Sequence, residues 1–355
     1  MSQTPTPIRR ALALALTVAV TAGTPVLAQP AARPSATATA DVEVRYGDWT
    51  DATRAGRVVP YKLYLPKGTG PFPVVVHSHG LGGSREASAY ILQAVAEAGF
   101  AVVVLQHAGS DSGLLAGQAP AADSVTRVAA GRAGMNMQVA QARYGDVPFA
   151  LNQLTEASRP GGALAGKLDL DRVGMSGHSY GALSTLVAVG QRVLGAGPGI
   201  SFAEPRIKAA IAYSPNKPRG DDPSTAFTRV RTPMLHFTGT ADATPFDLEK
   251  TPFERTAPYQ AITGADQFLI ILKDADHALF GGRRAATGQL KPIDPPQMEI
   301  VKAETIRFWR AYLVGDKAAA EAECDLPGRF SGAGEAFVKA ARCGPPTPIT
   351  PVAGQ

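Results

Sequence analysis

The amino-acid sequence predicts an α/β fold with a mostly parallel central sheet and helices on both faces. Three observations carry that expectation. From Phe72 onward, short apolar runs rich in Val and Ile alternate with longer stretches whose apolar residues recur at helical spacing. The runs are apolar at consecutive positions, as in strands covered on both faces, rather than at every second position. Finally, 45% of the 355 residues are hydrophobic and 18% charged, enough for a substantial core and too few charges for wholesale disorder.

Taken in chain order, residues 1–28 read as an export signal rather than as part of the fold. Arg9 and Arg10 supply positive charge, the run at 11–23 is uninterruptedly apolar, and VLA at 26–28 sets compact residues before an expected cut after Ala28. The run falls short of the roughly 20 residues that span a bilayer, so export to a periplasm or the cell exterior is expected without a stable membrane anchor. Residues 29–41 read as a flexible linker. EVRYG at 43–47 and VVPYKLYLP at 58–66 are expected as antiparallel strands joined by a polar turn. FPVVVHSH at 72–79 is the first buried strand, followed by the turn GLGGS, a helix over 85–99 and a second buried strand at 100–108. After a long loop, 137–158 reads as helical, with Pro148 expected to kink or break it. Strands then follow at 172–179, 207–215, 232–239 and 267–277, with helices at 180–195, 253–264 and 298–316. Residues 42–343 contain neither a linker-like break nor an internal repeat, so one domain is expected there; 344–355 reads as a disordered tail.

Composition also excludes function classes. The net charge of +5, or +3 without Arg9 and Arg10, comes with no Lys/Arg block and argues against a nucleic-acid partner. Two cysteines cannot make a dense disulfide scaffold or a four-thiolate zinc site. After export, Cys324 and Cys343 are expected to pair and staple the C-terminal segment, a closure worth roughly 3 kcal/mol in the chain-entropy account. The six histidines are scattered, with no pair at i, i+4 around a Glu, so neither a metal nor a cofactor is expected.

The chemistry begins at a strand-to-helix turn. GHSYG at 177–181 fits G-x-S-x-G with Ser179 at its centre, between a buried strand and a helix. A serine thrust out of such a turn takes a strained backbone, and the flanking glycines leave room for it. The helix that follows aims its first N–H groups at the site, so the Tyr180 N–H can meet a developing oxyanion. The hydroxyl needs a base. His277 ends the last strand, at the same sheet edge as Ser179. By contrast, His178 sits on the turn and is expected to face elsewhere, and His236 lies inside a strand. The acid should leave the end of an intervening strand, and Asp242 in TGTADATP does so. Asp247 lies farther from that strand end and Asp221 and Asp222 sit in an earlier loop, while Asp274 and Asp276 read as solvated turn residues. The second oxyanion donor is expected from SHGLGGS at 78–84, at the Leu81 N–H. GLGGSR is not a dinucleotide turn, because Ser84 stands where a third Gly or Ala is needed.

This constellation resembles the α/β-hydrolase fold over residues 42–316. Within it, SHGLGGSR at 78–85, the GHSYG elbow, GTAD at 239–242 and DADH at 274–277 are similar to dienelactone-hydrolase-like proteins, plasma-type platelet-activating-factor acetylhydrolases and bacterial secreted esterases. QHAGSD at 106–111 and RYGDVPFALNQL at 143–154 lean toward the acetylhydrolases. The resemblance implies Ser179, Asp242 and His277 as the triad and Leu81 and Tyr180 as the hole. Dienelactone hydrolases proper carry a cysteine nucleophile, so Ser179 departs from them. Secreted polyester hydrolases share the elbow, but their aromatic oxyanion loop is missing here. The expected function is a serine carboxylic-ester hydrolase acting on a small-molecule ester, short-chain or accessible. A secreted serine peptidase of the same fold, a lipase or polyester hydrolase, and a non-catalytic binding protein are the alternatives. Leu114, Leu115 and Phe246 are candidate pocket residues, and the Ala- and Gly-rich stretch 110–137 is the candidate lid.

Overall fold

The computed structural model describes residues 1–2, 40–115, 129, 131–197, 200–218, 220–243, 251–330, 332–346 and 349. Most of the expected export signal, linker and tail, the middle of the candidate lid, the Leu115 side chain and Phe246 lie outside the described residues. The chain divides into residues 1–37 and residues 38–355, and the fold below is that of the second unit.

Among the described residues, nine strands form one sheet. In chain order they are β1 (Val42–Asp51), β2 (Arg57–Pro66), β3 (Phe72–Ser78), β4 (Ala101–Leu105), β5 (Leu168–His178), β6 (Ile207–Tyr213), β7 (Met234–Ala241), β8 (Gln267–Asp276) and β9 (Gly334–Lys339). Their spatial order is β1-β2-β4-β3-β5-β6-β7-β8-β9. β3 to β8 run parallel, while β1 and β2 at one edge and β9 at the other are antiparallel to their neighbours. A parallel sheet with an antiparallel start and crossover helices is the α/β-hydrolase fold.

The consecutive apolar residues of the central strands divide between two cores because a strand's side chains alternate. Val75, Val102 and Val104 join one core, which also holds Phe308 and Trp309 of α4 (Asp294–Trp309) and Ile91 and Val95 of α1 (Ala89–Glu97). Val74, Val76, Val103 and Leu105 join the other, with Val147, Leu151 and Leu154 of α2 (Met137–Ala157) and Ala182 and Leu186 of α3 (Tyr180–Ala188). Every residue of α3 is buried, so the helix that carries the elbow is locked into the core.

Three local expectations are revised. α2 runs unbroken through Pro148, whose carbonyl accepts from Arg206. α3 is shorter than the pattern suggested, stopping where Gly190 takes a φ of 118°. Beyond residue 316 the chain adds α5 (Lys317–Cys324) and the edge strand β9, neither of which was anticipated. Cys324 and Cys343 form the expected disulfide, with Cα atoms 5.0 Å apart.

Candidate active site

Strand register brings the site residues to one level of the sheet. Ser78 of β3 pairs with Gly177 of β5, and His178 pairs with Tyr213 of β6, so the 78–84 loop and the elbow leave the sheet side by side. On the other flank, a register shift between Gly239 and Ala241 sets Ala241 opposite Asp276. That irregularity matters: Asp242 and His277 become the next residues of adjacent strands.

Ser179 has φ 56° and ψ −115°, a conformation open to few non-glycine residues. Its N–H donates to the Tyr213 carbonyl at 2.9 Å, which holds the turn against β6. The flanking glycines are required by space. A Cβ on Gly177 would stand 2.2 Å from the Gly181 carbonyl oxygen, and one on Gly181 would stand 1.8 Å from the Ser78 carbonyl oxygen. α3 therefore starts in van der Waals contact with the end of β3.

His277 donates Nδ1–H to Asp242 Oδ1 at 2.8 Å, which leaves Nε2 facing away from the acid. Asp242 is fully buried. Thr238 donates to its Oδ2 at 2.9 Å, and Arg255, equally buried, sets Nε 2.9 Å from its Oδ1 and donates to its carbonyl at 2.7 Å. Burial alone would raise the Asp242 carboxyl. The hydrogen bond from His277 and the charge of Arg255 outweigh it and hold the carboxyl below its usual range. A carboxylate held that way orients the imidazole and does not take its proton. Ser179 Oγ makes no hydrogen bond to His277 here; such contacts commonly tighten only when substrate binds.

His178 does not face elsewhere, as its sequence position had suggested. Its Nε2–H donates to the His277 carbonyl at 3.0 Å, and the two rings lie 4.6 Å apart. Burial and the neighbouring His277 keep His178 well below the usual histidine range, so it stays neutral beside the candidate base. Asp276 is likewise not simply solvated: it caps the short helix His277–Gly281 through the Ala278 N–H and pairs with Arg284 and Lys291. His236 is a buried core residue: its Nε2 meets Gln267 Oε1 at 2.8 Å, while its Nδ1 has no hydrogen-bond partner among the described residues.

The loop after β3 closes the other side. A Cβ on Gly80 would lie 3.4 Å from Ser179 Cβ, so this loop passes directly beside the serine. His79 braces it, donating Nδ1–H to the Gly80 carbonyl at 2.6 Å and accepting the His107 N–H on Nε2 at 3.1 Å. Among the described residues the Leu81 N–H has no acceptor. Beneath the loop runs a second Ser–His–Asp line. Ser78 donates to His107 Nε2 at 3.0 Å and His107 donates Nδ1–H to Asp146 at 2.9 Å. All three are fully buried, and Asp146 also holds Arg54 and Arg57, so this line is a strut rather than a second site. Of the pocket candidates, Leu114 converges with Leu81: a Cβ on Gly134 would meet both side chains within 3 Å.

Sequence reasoning noted the stretch that begins at Arg143 only for its resemblance, and gave Arg143, Arg255 and His178 no part in the site. An arginine in a sequence looks the same whether it meets solvent or a carboxylate, and only burial separates the two cases.

Residues 59–118 match the family model of platelet-activating factor acetylhydrolase, isoform II. The matched stretch runs from β2 through the 78–84 loop and β4. Together with the fold, it supports an acetylhydrolase-like α/β-hydrolase and, at the level of reaction class, a hydrolase of esters. Among curated proteins, none matches the chain significantly.

Proposed function

We propose that the protein is a serine carboxylic-ester hydrolase working through a covalent acyl-enzyme. The observation that carries this reading is the 2.8 Å pair of buried Asp242 with part-exposed His277, leaving the same sheet edge as the strained Ser179 turn. Ser179 Oγ attacks the ester carbonyl as His277 Nε2 takes its proton, and Asp242 holds the ring and its charge. The N–H groups of Leu81 and Tyr180 receive the tetrahedral oxyanion. His277 then protonates the leaving alcohol, and water, deprotonated by the same nitrogen, releases the acid. The acetylhydrolase match favours short-chain or accessible esters, and Leu81 and Leu114, which converge at Gly134, are the apolar side chains offered to them. Residues 1–28 act as an export signal in this reading, and the disulfide suits an oxidising compartment.

The test is the initial rate of the protein starting at Gln29 on p-nitrophenyl esters from acetate to palmitate, with Ser179→Ala beside it. Turnover strongest on short esters and lost in the variant is the expected result. A rate untouched by the substitution removes Ser179 as nucleophile. Absence of turnover by both proteins favours a peptide substrate or a silent binding protein.

A further inference from the structure

α2 presents an apolar face to the sheet through Val147, Ala150, Leu151 and Leu154, and on that face stands Arg143 with no exposure at all. Buried cations are normally paired with carboxylates. Among the described residues none touches Arg143. Asp146, one turn on, is already committed to Arg54, Arg57 and His107. Instead the guanidinium spends its donors on three neutral acceptors: Nε on Ser184 Oγ at 2.7 Å, Nη1 on Ser110 Oγ at 3.0 Å, and Nη2 on the His79 carbonyl. Its plane lies 4.6 Å from the centre of the Tyr180 ring. Burial pulls the group down to about 10, which leaves it charged at neutral pH.

Each of those contacts is one link from a donor of the candidate oxyanion hole. His79 enters the loop that carries Leu81. Ser110 accepts the Gly82 N–H on its carbonyl at 2.9 Å, holding the far side of that loop. Ser184 donates on to the Tyr180 carbonyl at 3.0 Å, one turn into the helix that supplies the other N–H. We propose that Arg143 is a positioning residue that fixes the Leu81 loop and the start of α3 at the separation needed to receive the oxyanion. A planar fork reaches three acceptors in fixed directions, which a lysine ammonium on a flexible stem does not. A purely structural role would show in stability and leave kcat and the affinity for an oxyanion unchanged.

This inference rests on the esterase reading, and its experiment keeps the two apart. Arg143→Lys, Arg143→Met and Ser184→Ala are compared with the parent and with Ser179→Ala on p-nitrophenyl acetate. For each we would measure kcat, KM, thermal midpoint and Ki for an aryl trifluoromethyl ketone, which adds Ser179 Oγ to its carbonyl and leaves the oxygen as an oxyanion. Arg143→Lys is expected to lower kcat about tenfold to a hundredfold with KM within about twofold, and Arg143→Met to lower it further. Ser184→Ala is expected to lower kcat by about threefold to tenfold. Ki for the ketone should rise in proportion to the loss of kcat/KM across the series. If Arg143→Lys and Ser184→Ala fold and show unchanged kcat and Ki, the proposal fails, whatever their thermal midpoints. Should the Arg143 variants not fold, Ser184→Ala decides by the same two readouts. Full activity in Ser179→Ala would instead remove Ser179 as nucleophile, and with it the acyl-enzyme reading on which this inference rests.

Discussion

A carboxylate buried beside an imidazole is useful only while it stays ionised, and His277, Thr238 and Arg255 together keep Asp242 so. Asp242→Asn preserves the size of the side chain but presents an amide to His277, which favours the wrong tautomer. It is expected to lower kcat by about 10³–10⁴ with KM little changed, read from steady-state kinetics on p-nitrophenyl acetate. Gly181→Ala tests the elbow from its other side. Its new Cβ, 1.8 Å from the Ser78 carbonyl oxygen, must push α3 away from β3. Loss of at least about 3 kcal/mol of stability is expected, visible as a lower denaturant midpoint or failure to accumulate. Both positions were legible in the sequence for the same reason. A serine at φ 56° needs glycines around it, and an acid must follow a strand, so each requirement leaves a local mark. Arg255 and Arg143 leave none, since their partners come from segments remote in sequence.

Among the elements, the C-terminal addition is the part that pattern reading passed over. β9 is short and pairs along one edge of β8 only, so its apolar signal is confined to Ala336, Phe337 and Val338. Its disulfide closes a span of 19 residues. Replacing Cys324 and Cys343 together by Ser is expected to cost roughly 3 kcal/mol in chemical denaturation while leaving kcat at 25 °C unchanged. Beside Cys324, Glu323 is fully buried with no hydrogen-bond partner among the described residues. Burial, with the charge of Glu304, pushes its carboxyl up to about 8 against the opposing pull of Arg329, Arg307 and Arg342. The folded state therefore holds a proton that the unfolded state has lost between about pH 4.5 and 8, so this group's stabilisation falls as pH rises through that window. Glu323→Gln should match the parent's thermal midpoint near pH 5 and exceed it by pH 8. A constant difference between the two proteins would contradict this assignment.

Across the whole molecule, five of the six histidines are buried and held below their usual range: His77 to about 3, His107 and His236 to about 4, and His79 and His178 well below. In each, burial is the leading cause. Below pH 6.5 the unfolded chain takes up protons at these rings and the folded chain does not, so stability falls as pH falls from 6.5 to about 4, each buried histidine adding to the slope. Five such groups outweigh the opposite slope of Glu323. The thermal midpoint is expected to drop steeply between pH 6.5 and 4, and calorimetry in buffers of differing ionisation heat should find several protons bound on unfolding at pH 5. An uptake near zero would contradict it.

The sequence by itself determined the layer architecture, the order of the parallel strands along the chain, the elbow serine and its expected acid and base. These rest on side-chain period and on backbone demands that neighbouring residues must meet. Only the tertiary structure decided which histidine supports another, how a register shift in β7 sets Asp242 beside His277, and where the buried arginines find acceptors. Those outcomes depend on strand register and burial, which arise when remote segments pack and leave no periodic trace in the chain.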